Sequence, residues 1–227
     1  MPTIHSASRW YSAADPVHGF DHVLRVYRLA EYIADCEAAD LEIVRAAVLL
    51  HDIDAAQMSE KDSRAKSEDG LQRQQHQHTS SEFAAQILQQ EGWQAERISA
   101  VQHCILAHRF RDESEQPQTL EARVLYDADK LDAIGAVGVA RALAFALQAG
   151  QPLYASPSNK FSECGQLEPG EPHSAFHEYL FKLRKLKASL STPTGIKLSE
   201  ERHSIMQEYF ANLAAEMEFT TKTCPQP

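Results

Sequence analysis

The 227-residue chain reads as an all-α protein. Two observations predict this. Apolar residues recur at helical spacing almost throughout, and no run of alternating β-branched residues asks for a strand. The apolar share, 43%, is that of a globular chain long enough to bury a sizeable core.

The periodicity predicts helices over 17–36, 41–52, 79–91, 95–109, 119–149 (broken near Gly135 or Gly138), 173–189 and 198–218. In the first, HGFDHVLRVYRLAEYIADC, His22 projects roughly 40° from His18, and Val26, Leu29 and Ile33 fall within about 80° on the same stripe. The second, LEIVRAAVLL, is nearly all apolar and runs straight into His51 and Asp52. In the segment 119–141, Leu120, Val124, Leu125, Ala128 and Leu131 describe one helix face, flanked by Asp127, Asp129 and Asp132. Polar stretches over 54–80 and 152–172 read as long loops, the second dense in Pro, Gly and Ser. The expected organisation is one domain over 1–227: a core of about 17–150 with the helices of about 173–218 packed on it as a C-terminal pair.

A net charge of −10 argues against a protein that coats nucleic acid by neutralising phosphates. A small phosphorylated substrate stays open, because a bound cation reverses the local sign. No apolar run approaches the roughly 20 residues that span a bilayer, and the N-terminal stretch lacks a signal-peptide pattern. Cys36, Cys104, Cys164 and Cys224 form no C-x-x-C pair, so reduced thiols and a cytoplasmic location are expected. A homodimer is the commonest oligomer and is kept open beside the monomer.

Three fragments carry candidate chemistry. Taken alone, His22 reads equally as a core histidine satisfied by a hydrogen bond. His51 and Asp52 diverge by about 100° on a helix, so they could meet one ion only where the helix ends; alone, they could be polar groups turning to solvent. Asp127 lies about 160° from Asp129, and periodicity does not choose between them. Together, imidazole nitrogens and carboxylates suit a divalent metal: Mn or Mg first, with Fe, Co, Ni or Zn as alternatives. Such an ion activates water and neutralises charge building on phosphorus.

The ordered set H-V-x-R-V (22–26), L-L-H-D (49–52) and D-A-D-K-L-D-A-I-G-A (127–136) resembles the HD superfamily of metal-dependent phosphohydrolases. More narrowly it is similar to the small stand-alone bacterial branch resembling nucleotide pyrophosphohydrolases, whose pattern continues through VQHCILAHRF (101–110), ALQAGQPLY (146–154) and HEYLFKLRKL (177–186). The resemblance implies an all-helical HD bundle with a metal held by His22, His51, Asp52 and Asp129, and it places the ligand at Asp129 rather than Asp127. His18 becomes a supporting residue. Asp52 is the expected catalytic group, oriented to both metal and water and able to accept a proton.

His103, His108, Lys130 and Lys182 are the expected substrate-binding residues. Some HD enzymes use histidines of this middle region for a second metal or for phosphate; these two stand about 140° apart on a helix, not a simple clamp. The branch has Ser after the second of these histidines, whereas this chain has Arg109, with Arg111 beyond it. An arginine there could grip phosphate bidentately or pair with Asp112 and Glu113. The tract QRQQHQH (72–78) reads as a solvated loop. The activity implied is hydrolysis of a nucleotide phosphoanhydride, first of all as an NTP/dNTP pyrophosphohydrolase. The alternatives are an HD-type nucleotide phosphatase or phosphodiesterase, or a non-catalytic nucleotide-binding module.

Overall fold

The computed structural model describes residues 1–11, 19–53, 70–109 and 115–219, with backbone only for 70–76. His18, Asp54, Arg111 and Cys224 lie outside the described residues. The described chain is helical, without a strand: α1 (Ile4–Ala7), α2 (Phe20–Glu37), α3 (Leu41–Leu50), α4 (Gly70–Gln90), α5 (Ala95–Ala107), α6 (Leu120–Asp132), α7 (Gly135–Gln148), α8 (Asn159–Cys164), α9 (Ala175–Phe181) and α10 (Pro193–Met217), with 3-10 turns at Ser8–Trp10 and Leu183–Ser189. No single helix among them is long and apolar enough to cross a membrane.

Three elements differ from the periodicity. α4 begins at Gly70, nine residues before the expected start at 79. Its first half is too polar to show an apolar stripe, and Ala84 and Leu88, both buried, carry the packing of the second half. The short α8 sits inside the stretch read as loop, capped by Ser158 at one end and by left-handed Gly165 at the other. The helix expected over 173–189 is a seven-residue α9 followed by a 3-10 segment.

The chain divides into two compact units: 1–129 with 190–195, and 130–189 with 196–227. In the first unit, α3 packs against α2, α4 and α5. Val44, Ala46, Ala47, Val48, Leu49 and Leu50 of α3 are all buried. Each large aliphatic side chain among them contributes roughly 1.5–3 kcal/mol by leaving water. Asp40 caps α3 by accepting from the Glu42 and Ile43 amides (3.0 and 3.2 Å). Arg97 of α5 forks onto the same carboxylate at 2.8 and 3.1 Å and holds its pKa below the usual value. The cap therefore also ties α3 to α5.

Asp127 of α6 is fully buried and is the anchor of the returning segment 190–195. It accepts from the Ser191 amide (3.1 and 3.2 Å), the Thr192 amide (2.7 Å) and the Thr192 hydroxyl (2.6 Å). Thr192 is also the N-cap of α10, accepting from the Gly195 amide at 3.0 Å. A Cβ at Gly195 would stand 2.5 Å from Asp127 Oδ2, so only glycine allows this approach. The buried carboxylate thus faces the positive end of a helix dipole.

In the second unit the chain breaks between α6 and α7, and Gly135 takes φ +77° there. Arg202 donates to the Leu131 carbonyl at 2.7 Å, adding to the Ile134 amide at 3.4 Å and closing the end of α6. Tyr179 stacks on Phe210 with centroids 4.4 Å apart. Glu171 gathers the loop before α9: it accepts from the Glu168 amide, the Ser158 amide and the Ser158 hydroxyl, each at 2.7 Å, and meets His177 Nε2 at 3.1 Å. Burial works to raise its pKa, but these donors bring it down to about 2.

Asp127→Ala should lower the unfolding free energy in urea by about 2–4 kcal/mol, because it strips a charged acceptor from buried donors; Thr192→Val should cost about 1 kcal/mol. Glu171 contributes stability that is present above its ordinary value of 4.5 and is lost as pH falls toward about 2. Glu171→Gln should therefore lower the melting temperature at neutral pH, with wild type and variant converging on acidification.

Candidate metal centre

The first unit brings five side chains together: His22 from α2, His51 and Asp52 from the end of α3, His108 from the end of α5, and Asp129 from α6. Helix termination solves the geometry of the adjacent pair. α3 stops at Leu50, His51 occupies the C-cap, and Asp52 lies in the following turn. His51 Nε2 then stands 3.9 Å from Asp52 Oδ2. Tyr11 fixes this end by donating its buried hydroxyl to the Leu49 carbonyl at 2.9 Å. Burial, and then the nearby Asp52 charge, push the Tyr11 pKa well up, which keeps it a neutral donor.

His51 and His108 are built alike. Each is a helix C-cap in right-handed conformation, and each places Nδ1 on the carbonyl three residues earlier: Val48 at 2.7 Å and Ile105 at 2.5 Å. A carbonyl can only accept, so Nδ1 carries the proton and Nε2 presents a lone pair. The sequence signal for this is the echo of VLLH (48–51) in ILAH (105–108). His103, also of α5, is engaged elsewhere: Nδ1 meets Glu115 at 2.6 Å and Nε2 accepts from the Gln118 amide at 3.1 Å.

The ligand-type atoms fall into two overlapping sets, within each of which all atoms lie within 4.8 Å: His22, His51, Asp129, and His51, Asp52, His108. In the first, His22 Nε2 is 3.4 Å from Asp129 Oδ1, and the His22 and His51 ring centroids are 5.7 Å apart. In the second, His108 Nε2 is 3.5 Å from Asp52 Oδ1, and its ring stands 5.1 Å from that of His51. Lys130 follows Asp129 on α6 and is buried; it belongs to the second unit. Lys182, also of that unit, pairs with Glu178 at 2.7 Å.

The fit to a metal ion is decided at His51. Its Nε2 is fully buried and finds no hydrogen-bond partner among the described residues. Burial first, then the neighbouring imidazoles, push its pKa down to about 4 against the pull of Asp52 and Asp129. The imidazole is thus neutral at physiological pH, with a lone pair aimed at carboxylate oxygens. Two groups of acceptors facing one another in a largely buried site are costly unless a cation lies between them. A divalent ion fits that requirement, and the Val48 carbonyl supplies the outer hydrogen bond that metal-binding histidines require.

Asp52 has a further partner in Arg109. Burial would raise its pKa, but the Arg109 guanidinium, His51 and His108 reverse this and hold the carboxyl well below the usual range. Arg109 Nη2 donates to Asp52 Oδ1 at 2.6 Å, and Arg109 Nε donates to His108 Nε2 at 3.1 Å.

The HD domain family matches residues 19–134, and the chain belongs to that family, a superfamily of metal-dependent phosphohydrolases. It is 34% identical to YpgQ of Bacillus subtilis over 199 residues, 86% of this chain and 82% of YpgQ. The crystal structure of YpgQ in complex with ADP superposes with a TM-score of 0.68 at 30% identity, covering 94% of this chain and 97% of that one. A predicted HD superfamily hydrolase from an uncultured Thermotogales bacterium gives 0.59 at 25% identity, over 94% and 91% of the two chains.

His51→Gln should weaken Mn(II) binding by about 100-fold or more, read by calorimetric titration of the metal-free protein, because a ligand is lost from a fixed set. His103→Gln should leave that affinity within about 3-fold of wild type.

Proposed function

We propose that the protein is a nucleotide phosphohydrolase that cleaves an NTP or dNTP to the nucleoside monophosphate and pyrophosphate. The observation that carries this reading is the buried, unsatisfied Nε2 of His51, set among His22, Asp129 and Asp52. These four residues would hold a divalent ion. When bound, such an ion supplies Lewis acidity toward a phosphate oxygen and toward water.

The protein's own groups do the rest. His51 and His108 are locked in one tautomer by backbone carbonyls and so need no reorganisation. Asp52, held ionised at the edge of the cluster, is poised to orient a water and accept its proton. Arg109 keeps that carboxylate in place through Oδ1, which leaves Oδ2 toward His51. The nucleotide class is supported by the likeness to YpgQ, which was crystallised with ADP.

A nucleotide panel with Mn, Mg, Co or Ni tests the proposal, with pyrophosphate and orthophosphate measured separately. Pyrophosphate release is expected, with kcat lower by about 100- to 10,000-fold in Asp52→Asn. Orthophosphate alone would make the protein a phosphatase. Release of neither, with metal and nucleotide bound, would make it a binding module.

A further inference from the structure

We propose that Tyr11 is a positioning residue for the metal centre: its hydroxyl holds the turn that lets the adjacent residues His51 and Asp52 face one point. This rests on the reading of the cluster as the metal centre of a phosphohydrolase.

Neighbours in a helix diverge by about 100°, so the pair converges only if α3 stops at the right residue and stays stopped. The last carbonyls of a helix lack an intrahelical donor and need one from elsewhere. Here two of them accept from side chains. The Val48 carbonyl accepts from His51 Nδ1 at 2.7 Å, which sets the ring, and the Leu49 carbonyl accepts from the Tyr11 hydroxyl at 2.9 Å. The second donor comes from 38 residues earlier in the chain. The Asp52 main chain hydrogen-bonds the same hydroxyl in the sense that favours the phenolate, so the Asp52 amide donates to the Tyr11 oxygen. One hydroxyl thus donates to the residue before the Leu50–His51 step and accepts from the residue after it. It is a clasp across residues 49–52.

The N-terminal segment keeps this hydroxyl in place. Tyr11 is buried, and its ring lies 5.5 Å from that of Phe20 at the start of α2. Trp10 stands edge-on to Phe83 of α4 with centroids 5.4 Å apart, and the Met1 ammonium pairs with Glu91, just beyond α4, at 2.7 Å. Residues 1–11 are thereby strapped along α4 at both ends, and Tyr11 is delivered to the end of α3. Removing only the phenolic oxygen would spare the ring contacts but strip the Leu49 carbonyl and the Asp52 amide of a partner. The loss would fall on the direction of the Asp52 carboxylate, which is carried by the residue whose amide is released.

Calorimetric titration of the metal-free protein with Mn(II) tests this, with Trp10→Leu as the control for the strap. Tyr11→Phe should bind Mn(II) about 10- to 100-fold more weakly than wild type, the loss expected for an outer partner of a metal ligand. Trp10→Leu loses the Phe83 contact but keeps the hydroxyl; its affinity should stay within about 3-fold of wild type, although its melting temperature falls. With a nucleotide substrate, Tyr11→Phe should lower kcat about 10-fold or more and leave KM within about 3-fold, because the hydroxyl is spent on main-chain atoms. An Mn(II) affinity of Tyr11→Phe within about 3-fold of wild type, or an equal loss in Trp10→Leu, would overturn the proposal. Mn(II) binding without nucleotide hydrolysis would overturn the proposed activity and leave the titration to decide the role of Tyr11. No Mn(II) on wild type would instead overturn the metal centre itself.

Discussion

The first unit is organised around one unsatisfied atom. A buried imidazole normally settles both its nitrogens, because each unmade hydrogen bond in a dry interior costs about 1–3 kcal/mol. His51 settles only Nδ1, on the Val48 carbonyl, and holds Nε2 toward acceptors that cannot satisfy it. The surrounding core makes this arrangement durable. α3 is buried along most of its length, Asp40 and Arg97 pin its start, and Tyr11 pins its end. Without that rigidity the histidine would turn to water, and the lone pair would have nothing to hold.

The same helix of aspartates serves two ends at once. Asp127 is directed at the 190–195 segment and consumed by four hydrogen-bond contacts, whereas Asp129, two residues on, meets His22. A separation of about 160° around the helix makes this division of labour compulsory. One carboxylate fastens the start of α10 to the unit that bears the cluster, and its neighbour completes the cluster. Substituting either should therefore produce quite different defects, one in folding and one in ligand binding.

Arg109 adds a constraint of charge. Asp52 is buried beside His51 and His108, and an isolated carboxylate there would tend to take up a proton. The guanidinium prevents this and fixes Oδ1, so the carboxylate reaches the centre ionised and by one edge. The cost of burying the pair is reduced by the partial exposure of Arg109, which keeps its charge in touch with water.

The amino-acid sequence by itself determined the all-α class, a break near Gly135 or Gly138, and the three fragments carrying His22, His51 with Asp52, and the DADK aspartates. These are periodic or punctuated features, and local physics settles them. It did not separate Asp127 from Asp129 by geometry, since each sits on a flank of the same apolar face; only the partners Thr192 and His22, distant in the chain, distinguish them. It treated His103 and His108 alike, although one pairs with Glu115 and the other caps α5 and faces His51. It left Arg109 between phosphate and nearby acids; among the described residues the guanidinium donates to Asp52 and His108. Spacing along one helix reports which side chains share a face. Which atoms from different helices meet, and which lone pair is left without a donor, is a property of packing, and only the tertiary structure decides it.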